Sequence, residues 1–281
     1  MFDTKVAKTS SYVEIWKYDK PVSQNELVSQ KEKKSAKRKS FEELTPTEKQ
    51  KQLSRLKKHR QEAKWRLLRL IDTNFDLKTS FITLTTKENI QDRDQFNKLF
   101  MQFVKRYNYW VFQTKTAQLK YVACLERQKR GSWHAHCLFF DVPFVPHKEL
   151  SRIWKQGAVR INKLNELDDV ANAGRYCVKY MEKGIGQELL ESLGKKSYLH
   201  SNNLKSPIEF RYLSGKPLVV DPSLVAFETE YDSKVFFKHE LISNPVHYFK
   251  IPIHQANQEA VKKLLSNRSF ENLNIEDRVY N

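Results

Sequence analysis

The chain has 281 residues and a formal net charge of +17 at pH 7, with 50 Lys/Arg against 33 Asp/Glu and only seven Gly. That length accommodates one sizeable catalytic domain with appendages, and the basic balance points to a polyanionic partner. No apolar run approaches the ~20 residues of a spanning helix, and no charged leader followed by an apolar core opens the chain. Nucleic acid is therefore expected over membrane, and the cytoplasm over secretion.

In chain order, SSYVEIWKYDKPV at 10–22 reads either as a strand or as a docking segment. The low-complexity stretch QKEKKSAKRKS that follows has too little apolar surface to order itself. Between Lys31 and Arg69 stand fifteen Lys/Arg against five Asp/Glu, so this segment alone carries +10 of the net charge. Lys37, Arg38, Lys57 and Lys58 within it are candidate phosphate contacts. Thr45-Pro46-Thr47-Glu48 forms a capping box with Pro at the first helical position, which predicts a helix running to about Ile71. Its later part, WRLLRLI, is the side expected to dock on a core.

Phe81 to Thr86 alternates like a strand, and Thr83 and Thr85 are read there as strand formers. Phe96, Leu99, Phe100 and Phe103 recur at helical spacing and predict a helix covering one sheet face. LKYVACLERQKRGSWHAHCLFF reads as strand, basic turn, strand. A short helix from His147 to Lys155, ended by Gly157, precedes the strand AVRIN, and a helix over 172–184 closes at Gly184. AFETEY, KVFFKHE and HYFKIPI suggest further strands before a last helix at about 256–266. The pattern is α+β, divided as a basic arm with a helix (1–72), a catalytic domain (73–220) and a C-terminal extension of no legible role (221–281). Gly194-Lys195 and Gly215-Lys216 lack the rest of a phosphate-cradling loop, so no ATP motor is expected and strand separation falls to a host helicase.

The chemistry concentrates in two blocks. Side chains two apart on a strand share a face, so His134 and His136 point the same way. If residue 126 pairs with residue 134, Glu126 joins them, because directly opposed residues lie on one side. Two imidazoles and a carboxylate suit a catalytic divalent cation better than a closed structural site. Cys124 would then oppose His136, where a small buried hydrophobe is the expected role. In the turn, Arg127, Lys129 and Arg130 are candidate DNA contacts. Downstream, Tyr176, Lys179, Tyr180 and Lys183 fall at i, i+3, i+4 and i+7, a helical stripe of phenols and ammonium groups where an apolar seam is usual. A cupin-type metal site is disfavoured, because no carboxylate follows His136 closely and glycines are few.

FITLT at 81–85, His-Ala-His at 134–136 and the doubled Tyr-x-x-Lys at 176–183 occur in the order of a known family. Over roughly residues 75–220 the chain resembles the HUH endonucleases, specifically two-tyrosine rolling-circle replication initiators of bacterial plasmids and small single-stranded DNA phages. The resemblance implies a ferredoxin- or RRM-like antiparallel sheet flanked by helices. It implies Glu126, His134 and His136 as ligands of Mg²⁺ or Mn²⁺, with Tyr176 and Tyr180 as nucleophiles assisted by Lys179 and Lys183. It implies nicking and rejoining of single-stranded or hairpin DNA at a replication origin through a 5′-phosphotyrosine, with host helicase and DNA polymerase as partners. A related transposase or relaxase, or an inactive DNA-binding protein, are the alternatives.

Overall fold

The computed structural model describes residues 1–22, 41–162, 196–214, 219–237 and 240–266. Among these the fold is α+β, with two antiparallel five-stranded sheets and four helices, as the sequence predicts. Contacts gather the chain into two units, Met1–Glu42 with Ser206–Tyr280, and Glu43–Lys205. Strand pairing therefore cuts across the linear division expected at 72/73 and 220/221, because the N-terminal strands pair with C-terminal ones.

In the unit built from Glu43–Lys205, helix α1 (Pro46–Asn74) starts at the expected capping box: Thr45 Oγ1 accepts from the Glu48 amide, and the Glu48 carboxylate accepts from the Thr45 amide. The sheet runs β6 (Val159–Asn162), β3 (Ser80–Thr85), β5 (Trp133–Phe140), β4 (Lys120–Arg127), β7 (Leu199–His200). Alternation gives each strand two apolar sides, and a helix covers each side. Against one face lie α2 (Arg93–Phe112) and α3 (His147–Trp154), burying Phe96, Phe100, Phe103 and Trp154 against Leu84, Ala135, Cys137 and Phe139. Against the other, Ala63, Leu67 and Ile71 of α1 meet Phe81, Val122, Cys124, Leu138 and Phe140. WRLLRLI thus docks as expected, which makes the second half of α1 part of the core.

After α3 the chain must turn sharply to lay β6 beside β3. Lys155 takes φ 66° at the helix end, and a Cβ on Gly157 would run into the backbone of Thr85 and Lys87. Glycine permits that approach, which the bonds Thr85 N to Ala158 O (2.9 Å) and Lys87 N to Gln156 O (2.7 Å) then hold.

In the other unit, SSYVEIWKYDKPV proves to be mostly strand. Its sheet runs β8 (Ile208–Tyr212), β1 (Phe2–Lys8), β2 (Tyr12–Val22), β10 (Glu240–Pro252), β9 (Phe227–Phe237). AFETEY and the start of KVFFKHE, read as separate strands, are continuous in β9. Val6, Val13, Ile15 and Ile251 cluster with Val261 of α4 (Gln258–Ser266) on one face.

A buried polar knot ties β1 to β2 and to the segment after β8. Lys17 Nζ donates to Asp3 Oδ2 and to Ser214 Oγ, both at 2.6 Å, and the Ser214 amide donates to Asp3 Oδ1 at 2.9 Å. Burial by itself would raise the Asp3 carboxyl, but Lys17, Ser214 and Thr4 outweigh it and hold the pKa at about 2. A depressed acid stabilises the fold above its unfolded pKa of about 3.9 and loses that contribution as pH falls toward its folded value. Asp3→Asn is therefore expected to cost roughly 1–3 kcal/mol at neutral pH. Urea denaturation as a function of pH should show the gap to wild type closing below about pH 4.

Candidate active site

The turn between β4 and β5 is closed by the amide of Gln128 donating to Ser132 O and that of Gly131 to Gln128 O, both 2.8 Å, with Gly131 at φ 89°. This closure sets the register predicted from the sequence: Glu126 pairs with His134 and Cys124 with His136. Glu126, His134 and His136 consequently share the sheet face on which α1 packs farther along β5.

The structure adds two neighbours. Thr83 of β3 pairs with His136, and its Oγ1 lies 3.2 Å from His136 Nδ1. Thr83 is thus a polar partner of the second histidine as well as a strand former, which corrects the sequence reading. Arg160 of β6 pairs with Thr83 and is exposed, so it brings a cation to the same face. Alternation in AVRIN, with Val159 buried and Arg160 outward, was the signal that could have found it.

His136 is 4% exposed, and its Nε2 lies 2.8 Å from Glu126 Oε2. Both its ring nitrogens are therefore engaged, one by Thr83 and one by Glu126. His134 differs: its Nε2 is buried without a hydrogen-bond partner among the described residues. Burial lowers the His134 pKa, Arg130 lowers it further and Glu126 opposes both. The result is a neutral imidazole with an orphaned polar nitrogen, the protonation state in which imidazole ligates metals. The two rings stand 6.3 Å apart, centroid to centroid, and among the described residues no three His, Cys, Asp or Glu groups are close enough to enclose an ion as they stand. The donor set and the orphaned nitrogen fit a divalent cation chemically. What keeps the set from closing is the carboxylate, which is turned onto His136.

Of the turn cations, Arg127 donates from Nε to Gly131 O at 3.0 Å and Arg130 from its guanidinium to Thr86 O at 2.6 Å, so both brace the turn. Lys129 at the tip is exposed, as are Lys57 and Lys58 on α1. Cys124 packs in the α1-side core with Leu138 and Phe140, the small hydrophobe expected. His147 bonds Val159 O at 2.8 Å and serves the α3–β6 junction. Lys37, Arg38, Tyr176, Lys179, Tyr180 and Lys183 lie outside the described residues.

Residues 79–185 match a protein family described as replication-associated protein ORF2. The matched span runs from the residue before β3 through the β4–β5 pair and includes the doubled Tyr-x-x-Lys segment. It supports a replication-initiator class for this chain. No curated protein and no solved structure matches it. No helix among the described residues is long and apolar enough to cross a membrane.

Proposed function

We propose that this protein initiates rolling-circle DNA replication by nicking and rejoining one strand at an origin. The observation that carries the reading is the β4–β5 register, which puts Glu126, His134 and His136 on one face inside a segment matching a replication-associated family. When bound by these three residues, Mg²⁺ or Mn²⁺ supplies charge neutralisation at a scissile phosphate.

The chain's own groups do the rest. The hydroxyl oxygen of Tyr176 or Tyr180 attacks phosphorus as the phenol loses its proton. The bond to the 3′ oxygen breaks, and that oxygen gains a proton to become a 3′-hydroxyl from which a host polymerase extends. A free phenol, with a pKa near 10, is a weak nucleophile at neutral pH. Lys179 and Lys183 on the same helical stripe stabilise the phenolate and the charge built up on the phosphoryl oxygens. Arg160, exposed beside Thr83, holds a neighbouring phosphate of the strand. Because one phosphodiester is exchanged for another, reversal rejoins strands. Two tyrosines allow a second cut while the first product is still attached.

The test is a denaturing gel of labelled single-stranded DNA incubated with the protein and Mn²⁺. A denaturant-resistant adduct supports the reading; binding with no adduct at any metal concentration overturns it in favour of an inactive DNA-binding protein.

Lys57 and Lys58 add affinity without sequence choice. Because Leu67 and Ile71 of the same helix are core residues, substitution is the right test and truncation is not. Lys57→Gln/Lys58→Gln should lower the slope of log K against log salt by about 0.7 per lost contact on single strands and about 0.9 on duplex. Binding titrations at several salt concentrations measure it.

A further inference from the structure

The second sheet sorts its side chains in a way that burial alone does not require. On β9, Glu228, Glu230 and Asp232 alternate with Phe227, Thr229 and Tyr231, so the acids take one face and the aromatics the other. Register carries the aromatic face inward across the sheet: Val246 pairs with Tyr231 and Tyr18, and Tyr248 with Thr229 and Trp16. Phe227 pairs with Lys250, and Trp16 with Lys5.

These rings form one connected surface. Tyr248 lies 5.4 Å from Trp16 and 6.1 Å from Phe227, centroid to centroid, and the Trp16 side chain hydrogen-bonds to Tyr231. Phe227 is 55% and Tyr231 45% exposed, on an edge strand. Cations sit among them: Lys5 Nζ is 4.9 Å above Trp16 and Lys250 Nζ 3.9 Å above Tyr12. The two carboxylates on this face are bound within it, Glu14 by the Tyr248 hydroxyl at 2.7 Å and Glu209 by Lys5 at 3.5 Å.

We propose that this face, spanning β2, β10 and β9, is a stacking platform for single-stranded nucleic acid, separate from the nicking site and built from segments the sequence left without a role. Exposed rings bind unpaired bases of any sequence, interleaved ammonium groups take the phosphates, and the acids of β9 are kept off the surface a polyanion would approach. A duplex hides its base faces and gains nothing from the rings. The inference stands apart from the nicking chemistry, since none of these residues belongs to that site.

The test compares the full-length protein with its Phe227→Ala/Tyr231→Ala variant, using fluorescence anisotropy on an oligo(dT) of about 20 nucleotides and on a duplex of equal length. The variant should bind oligo(dT) at least about tenfold more weakly, with duplex affinity and the salt slope unchanged. Phe227→Tyr/Tyr231→Phe should bind like wild type. Photocrosslinking of bromodeoxyuridine-substituted oligonucleotide to the wild-type protein reads the same surface without any substitution and should label peptides covering 12–18 or 227–231. Undiminished oligo(dT) affinity, equal losses on duplex, crosslinks confined to other peptides, or a wild-type dimer that dissociates in the alanine variant would each overturn the platform. Adduct formation at saturating DNA should persist in the variant, which separates this outcome from failure of the nicking reading.

Discussion

His134→Ala is expected to lose roughly a thousandfold or more in single-strand cleavage while the fold is untouched. Its Nε2 has no hydrogen-bond partner among the described residues, so removing the ring sacrifices no such bond there. A buried polar atom without a partner is itself a cost, and relief of that cost offsets some of the packing lost with the ring. Melting temperature near wild type combined with absent nicking would thus identify a group held in place for function. His136→Ala should be equally inactive but less stable, because Thr83 and Glu126 each lose the bond they make to it. Thr83→Val keeps the shape and releases Nδ1, with an expected loss of roughly ten- to a hundredfold in metal affinity, the usual cost of removing a group that orients a ligand. Glu126→Ala should be partly restored by excess Mn²⁺, since mass action compensates for one missing anionic ligand. Most DNA affinity should survive in all of these, because phosphate contacts elsewhere dominate it. Cleavage at the wild-type rate by His134→Ala without added metal would remove the proposed metal site.

The second large effect concerns the two phenols. One helical turn places Tyr176 and Tyr180 about 5–6 Å apart at Cβ, close enough to serve one phosphate in alternation. Phenylalanine at either position deletes only the attacking oxygen, so each single variant should fold normally and retain some first-strand cleavage. The double variant Tyr176→Phe/Tyr180→Phe should form no covalent adduct while binding single-stranded DNA as wild type does. Peptide mapping of the wild-type adduct should find the nucleotide on one of these two residues, with Tyr180, whose Lys183 adjoins Gly184, expected to act first. Attachment at neither, or undiminished adduct in the double variant, would refute the mechanism.

Much of the local structure could be read from residue spacing. The Thr45–Glu48 box starts α1 where expected, and Phe96, Phe100 and Phe103 bury the predicted side of α2. The pairing of Glu126 with His134 was legible too, because a short turn leaves adjacent strands few registers and only one puts both groups on a common face.

What the tertiary structure alone decided was contact between segments far apart in sequence. That Thr83 reaches His136 depends on β3 lying beside β5, 53 residues away, and that Arg160 joins the face depends on the turn at Gly157. The union of β1 and β2 with β8, β9 and β10 into one sheet, and the aromatic platform it creates, likewise crosses most of the chain. Helical and strand periods are written within a few residues because they reflect backbone geometry. Which distant strands meet is set by the burial that the whole collapsed chain achieves, against a loop-closure entropy that grows only slowly with length and so singles out no partner.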